Sequence, residues 1–268
     1  MNFRNPFSRS EATPGPSNTD DWSSLSAAET EFRTTFSEAK ARVADADFPW
    51  YPYDTLANFS LIDAVLTGEN RSIQFLTGKQ PILDIGCADG ATSFLLASLG
   101  HRVDAVDYPS TNFNGMRGIR LLRDFFKTSV EIHAVDLDSQ FVLPRQQYGL
   151  TLFLGILYHL KNPFYSLQQL AISSRYCLLS TRVAKFDSTK TISMEHLPVA
   201  YLVSPFETNN DPTNYWIFSR AGLTRLFERT GWTVCDSKHF GNTTNSDPAS
   251  QEGDERAFCL LRSLAFPK

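Results

Sequence analysis

The chain has no apolar run long enough to cross a bilayer as a helix, and its first residues lack an apolar signal core. A helical membrane anchor and a secretory signal are therefore not expected, and the expected location is cytoplasmic. Cysteine is scarce: Cys87, Cys177, Cys235 and Cys259 are the whole set, with no C-x-x-C pair. No Cys/His group has zinc-ligand spacing, so no metal is expected, and the thiols read as free and buried in a reducing compartment. An excess of positive charge is also missing, since 25 Lys and Arg stand against 29 Asp and Glu. The net charge of −4 speaks against a broad basic surface and so against a nucleic-acid partner. No internal repeat is visible.

What is present is an ordinary globular composition. The 268 residues, 42% hydrophobic and 20% charged, suffice for one α/β domain with a small cap. Phenylalanine is abundant at 21 copies, several of them outside the predicted strands. These rings either fill the core, which is the commoner use, or line a cap or substrate pocket.

Residues 1–22, rich in Ser, Asn, Pro and Asp, read as a disordered leader. Residues 23–77 form a helical and aromatic lead-in. Leu25, Phe32, Phe36 and Val43 recur at helical intervals from Ser24 to about Ala46. Phe48-Pro-Trp-Tyr-Pro-Tyr53 then breaks the helix, and 60–76 looks helical again. From 78 to 268 strands alternate with helices. Strands are expected at 82–86, 103–107, 130–135, 150–154, 176–181, 233–238 and 257–261, and helices at 91–99, 113–127, 163–173 and 219–230. That alternation argues a doubly wound, largely parallel, Rossmann-like α/β sheet. An insertion, 184–218, interrupts it where α/β enzymes often carry a cap.

One loop carries the chemistry. Asp84-Ile-Gly86-Cys-Ala-Asp-Gly90 follows a strand and opens a helix. Glycines there let backbone approach a ligand, and a helix N-terminus favours an anionic group. Asp107 ends the next strand about twenty residues on, the spacing used to grip ribose hydroxyls, and Asp136 follows the third. The loop lacks the G-x-G-x-x-G of nicotinamide sites. It resembles instead the E/D-x-G-x-G-x-G loop of class I S-adenosylmethionine (SAM) methyltransferases, with Ala88 at the middle glycine. The resemblance makes Asp84, Gly86, Cys87, Gly90, Asp107, Asp136, Leu137 and Gly155 the expected SAM residues.

The fourth strand runs into Gly155-Ile-Leu-Tyr158-His159-Leu-Lys-Asn162-Pro163. This resembles the "GVLYH…P" segment of the wobble-uridine tRNA methyltransferase-like family. Asp211-Pro-Thr-Asn-Tyr215-Trp216-Ile-Phe-Ser219-Arg220 and Trp50-Tyr-Pro-Tyr53 resemble aromatic segments of the same family, so the likeness covers about residues 48–240. It implies a seven-stranded sheet with the last strand antiparallel, and SAM or a SAM derivative as cofactor. His159 is a candidate general base, having an unperturbed pKa near neutrality. Tyr158 is a candidate at the reacting methyl. Buried packing roles compete for both. Tyr215, Trp216 and Arg220 are candidates for the acceptor, with Arg182, Glu195 and His196 weaker.

Three functions stay open: methyl transfer to a small molecule or glycan, tRNA carboxymethylation from carboxy-SAM, and SAM binding without catalysis. By resemblance, carboxy-SAM users hold the extra carboxylate with the "LYH" tyrosine plus basic residues. Tyr158 matches, but Asp211–Asn214 carries no Lys or Arg, and Asp45, Asp47 and Asp54 make the lead-in acidic. Plain SAM and a small-molecule or glycan acceptor are therefore expected.

Overall fold

The computed structural model describes residues 20–45 and 47–267. The expected leader lies outside the described residues up to 19, and residues 20–22 are built into the fold. Asp21 caps the first helix, α1 (Trp22–Val43), through Ser23 N at 2.9 Å. Trp22 is fully buried and stacks on Phe59 at 5.6 Å. The chain forms two compact units: residues to Asp136 with Val142–Leu150, and Leu137–Phe141 with the residues from Thr151 on.

The first unit contains α1 and the whole lead-in. Where one helix was expected over 60–76 there are α2 (Asn58–Asp63), a 3-10 turn at Gly68–Arg71 and α3 (Ile73–Thr77). Gly68 at φ +53° turns the chain, and Ser72 caps α3 by accepting from Phe75 N at 2.9 Å. Arg71 holds the break by bonding Asp21 at 3.0 Å and Asp63 at 2.6 Å. Three parallel strands follow, β1 (Ile82–Ile85), β2 (Val103–Asp107) and β3 (Glu131–Ala134), in the spatial order 3-2-1. Between them lie α4 (Ala91–Ser98) and α5 (Arg117–Phe126). The buried rings of Phe32, Phe36, Phe94 and Phe126 pack within 5.5–6.5 Å of one another and fasten α1 to α4 and α5. These phenylalanines fill core, and Phe36 also lines the cavity described below.

Strand β4 (Tyr148–Leu154) begins in the first unit and ends in the second. The second unit continues with α6 (Pro163–Ser173) and β5 (Ser174–Val183). It closes with β6 (Ala200–Leu202), β7 (Trp216–Phe218), α7 (Arg220–Arg229), β8 (Trp232–Gly241) and β9 (Glu255–Ser263). Strand β9 runs antiparallel to both β5 and β8, as the resemblance implied for the last strand. Nine strands are described. The two beyond the expected seven, β6 and β7, come from the cap insertion and pair with each other antiparallel. No helix among the described residues is long and apolar enough to cross a membrane.

Candidate functional site

In the first unit the loop after β1 is shaped by three alternate residues in the left-handed region: Gly86 at φ +69°, Ala88 at +50° and Gly90 at +84°. Ala88 thus takes a conformation that a glycine adopts without steric cost. Gly86 N donates to Val106 O at 2.8 Å, which ties the loop to the end of β2. Ala88 N donates to the Asp107 carboxylate at 2.9 Å, as does Asn112 Nδ2 at 2.9 Å, while Tyr108 N donates to its other oxygen at 2.8 Å. Burial pushes the Asp107 carboxyl up, and these three bonds oppose the rise. The helix expected from Phe113 starts only at Arg117 because Asn112 Oδ1 accepts from Asn114 N and Met116 N, organising a turn that places Asn112 on Asp107.

Asp84 is buried and accepts from Ser93 Oγ at 2.6 Å, so its carboxyl braces the first turn of α4. Burial pushes it up to about 7, against the Ser93 bond and with a further rise from the Asp107 charge. Cys87 is buried and its thiol is raised well above its usual pKa, chiefly by burial, which keeps it a neutral wall group. Asp136 is half-buried beyond the end of β3.

Asp89, inside the same loop, was not singled out in the sequence. Its buried carboxylate accepts from Lys40 Nζ on α1 at 2.9 Å, from Tyr51 N at 2.8 Å and from Asn114 Nδ2 at 2.7 Å. Lys40 also lies 4.9 Å from the Trp50 ring centroid. The lead-in around Trp50 therefore does have a lysine, supplied by α1, which corrects the acidic reading of that segment. A cavity of about 300 Å³ opens here between α1, the lead-in and Ala88–Ala91.

The second unit holds the other candidates. Gly155, at φ +74°, donates to Ser180 O at 2.9 Å. Leu137 is buried, its carbonyl accepting from Ser166 Oγ at 3.0 Å. Tyr158 and His159 lie in a 3-10 turn (Leu157–His159), their ring centroids 4.3 Å apart. His159 Nδ1 faces the Thr213 carbonyl at 3.1 Å. The Thr213 hydroxyl also lies 3.0 Å from Nδ1 but donates its own proton to Asp211 Oδ1 at 2.6 Å, so both Thr213 oxygens accept, the proton sits on Nδ1 and Nε2 keeps its lone pair. Burial lowers the His159 pKa, opposed by the Thr213 bond, and so favours the neutral ring.

Tyr158 O accepts from Tyr215 N at 2.8 Å, and Trp216 Nε1 donates to Lys161 O at 3.4 Å, so the cap's aromatic segment is seated on the 158–161 turn. Arg220 is not in that group. It bonds the buried Glu255 at 2.8 Å and pairs with Glu195 at 3.4 Å. Burial alone would raise the Glu255 carboxyl, but bonds from His239, Ser246 and Arg220 hold it below the usual range. Arg220, a partly exposed side chain, is thus tied into an ion-pair network around the buried Glu255. Arg182 is buried too, its Nη2 donating to Asp247 O at 3.1 Å and Ser250 O at 2.6 Å.

The cation absent from 211–214 is supplied elsewhere. Arg256, near the start of β9, places Nη1 3.4 Å from Tyr158 Oη. Tyr158 therefore has a basic companion, supplied from outside the Asp211–Asn214 segment. The motif likeness stops near residue 240, and the pairing of β9 with β5 and β8 carries Arg256 to this point.

No family model matches the chain. Among curated proteins it is 25% identical over 127 residues to a cypemycin N-terminal methyltransferase of a Streptomyces species, covering 41% of this chain and 52% of that protein. It is 29% identical over 160 residues to a tRNA U34 carboxymethyltransferase of Alteromonas mediterranea, covering 58% of this chain and 47% of that one. The chain thus spans about half the length of the curated relatives it matches. Among solved structures, the N-terminal domain of EvdMO1 with SAH bound shares 16% identity, covers 87% of this chain and 96% of that one, and has a TM-score of 0.54.

The fold is the Rossmann-like class I methyltransferase fold. The [4+2]-cyclase SpnF has a TM-score of 0.52 to this chain at 10% identity, covering 95% of this chain and 99% of that one. The activity therefore has to be argued from the site and not from the fold.

Proposed function

We propose that the chain is a SAM-dependent methyltransferase acting on a small-molecule or glycan acceptor. The observation that carries this is the Asp107 carboxylate bonded to Ala88 N within a loop of three left-handed residues. That arrangement sets a strand-end acid and close-approach backbone side by side, the acceptor and donor set that a ribose and an amino-acid carboxylate require. Asp107 would take the ribose hydroxyls, Asp136 the adenine amino group, and Gly86 to Gly90 the methionine end. SAM supplies, when bound, a methyl group already activated on a sulfonium. The protein's share is then to position, to exclude water and to receive a proton. His159 Nε2 is the atom we assign to the proton. The free thiols, buried at Cys87, Cys177 and Cys259 but exposed at Cys235 against expectation, and the acidic balance accord with a cytoplasmic protein whose acceptor is not a nucleic acid.

The test is calorimetry. SAM or SAH should bind, and Asp107→Ala should weaken it by about 1.5–3 kcal/mol through loss of charge-assisted bonds. Unchanged affinity removes the ribose assignment, and tight binding of a nicotinamide dinucleotide with none of SAM removes the whole reading. Arg256 beside Tyr158 favours a second reading, tRNA carboxymethylation from carboxy-SAM, because a guanidinium and a phenol suit an added carboxylate. Competition between the two donors at equal concentration, with a salt titration of tRNA binding, separates them. Preference for SAM and no salt-sensitive tRNA binding uphold the first.

A further inference from the structure

Strands β2 and β3 of the first unit carry a cluster of side chains that the cofactor reading does not use. Asp104 and Glu131 are register partners across the parallel β2–β3 ladder, and His133 follows Glu131 by two residues, so the three share one face of the sheet. One ligand atom from each, two carboxylate oxygens and an imidazole nitrogen, lies within 4.8 Å of the others. Asp107, the candidate ribose residue, ends β2 three residues further along, about 10 Å away. The cluster is therefore separate from the glycine loop, and it lies wholly within the first unit.

Two features of the cluster point to a cation. The first is its charge. The buried Asp104 and the exposed Glu131 share a single guanidinium, Arg145 Nε donating to Asp104 at 2.8 Å and Nη2 to Glu131 Oε1 at 2.6 Å. Tyr148 Oη adds a neutral donor to Asp104 at 2.8 Å. Two carboxylates against one guanidinium leave a negative charge over. The second feature is His133 Nε2, which is buried with no hydrogen-bond partner among the described residues. It lies 3.8 Å from Glu131 Oε2, the oxygen that Arg145 does not take. That separation is too long for a hydrogen bond, yet short enough for one ion, about 2.0–2.2 Å from each ligand, to bridge the two.

We infer that Asp104, Glu131 and His133 form a site for a zinc-type divalent cation, with Arg145 as the resident counter-ion that the metal displaces. Two carboxylates and a neutral imidazole suit Zn²⁺ better than Mg²⁺ or Ca²⁺, whose sites are built from oxygen ligands. A fourth position is left to water. The Arg145 side chain is 38% exposed and can swing into solvent, while Tyr148 keeps its bond to Asp104. Strand β3 pairs only with β2 among the described strands, so the ion ties an edge strand to the sheet. Its role is structural, holding the strand beyond whose end Asp136 stands. The spacing of cysteine and histidine along the chain gave no sign of this set, because two of its ligands are carboxylates and the three come from separate strands.

The experiment is a Zn²⁺ titration of the full chain by calorimetry near neutral pH, under a phosphine reductant, with the melting temperature read in parallel. One Zn²⁺ is expected to bind per chain and to raise the melting temperature. His133→Ala and Glu131→Gln should each weaken binding by about tenfold or more and remove the rise in melting temperature. Both side chains are partly exposed on an edge strand, so these two variants keep the fold and carry the test by themselves. Arg145→Leu, which removes the competing cation, should tighten binding several-fold. No Zn²⁺ binding, binding unchanged in His133→Ala, or weaker binding in Arg145→Leu would each overturn the inference. Loss of binding in Cys235→Ser would give the ion to that exposed thiol and overturn it as well.

Discussion

Ala88 at φ +50° stands between two glycines that take the same left-handed conformation freely. A Cβ in that region costs about 1–2 kcal/mol, while glycine adds unfolded-state entropy of about 0.4–1 kcal/mol. Ala88→Gly should therefore raise stability by about 0.5–1 kcal/mol, read as a higher urea midpoint at unchanged m. An unchanged or lower midpoint would show that the Ala88 methyl makes compensating contacts. His159 is the residue whose role most needs a rate. Burial favours its neutral form, and with Nδ1 directed at Thr213 O it has Nε2 ready to take a proton. His159→Gln should lower single-turnover methyl transfer by about 10²–10⁴ while leaving SAH affinity within a few tenths of a kcal/mol. A rate close to wild type per folded molecule, together with a lower melting temperature, would make the residue a packing group.

Helix α1 is bound to the glycine loop through one carboxylate. Asp89 collects Lys40 from α1, Tyr51 N from the lead-in and Asn114 from the turn before α5. Gly118 lets α5 come in beside Asp89 and the Trp50 ring, where a Cβ would collide with both. Asp89→Asn keeps the shape but leaves Lys40 largely buried without its anion, which should cost about 3–5 kcal/mol. The double variant Asp89→Asn with Lys40→Met, removing both charges, should recover most of that loss. Urea denaturation of the three proteins checks the pair, and strictly additive losses would show that Asp89 and Lys40 do not interact.

At the scale of the whole molecule, Asp84 writes a pH dependence into stability. Its carboxyl is raised to about 7 by burial, against roughly 3.9 in an unfolded chain. Between those values the folded state binds the extra proton, so stability is greatest at the acid end of the window. It falls as pH rises from about 4 to about 7, at up to about 1.4 kcal/mol per pH unit from this group, and then levels off. Asp84→Asn removes that slope. It should be more stable than wild type at pH 8, with the advantage shrinking toward pH 5, as followed by denaturation midpoints across the range. Parallel pH profiles for the two proteins would show that Asp84 is ionised throughout.

Local chain chemistry determined the alternation of strands and helices, the glycine loop, the strand-end acid Asp107, the Ser219 cap of α7 and the 163–173 helix. Each depends on residues a few positions apart, whose hydrophobic period, caps and turns act within one element. The 60–76 segment misread for the same reason, because its break is held by Arg71 reaching back to Asp21. Tertiary structure alone decided which charges meet. Lys40 and Asp89 are 49 residues apart, and Tyr158 and Arg256 are 98 apart. Neither pair leaves a mark on local periodicity, since a side chain's partner is chosen by strand pairing and helix packing and not by its neighbours in sequence. The same holds for Arg220, whose pairing with the buried Glu255 is set by the fold.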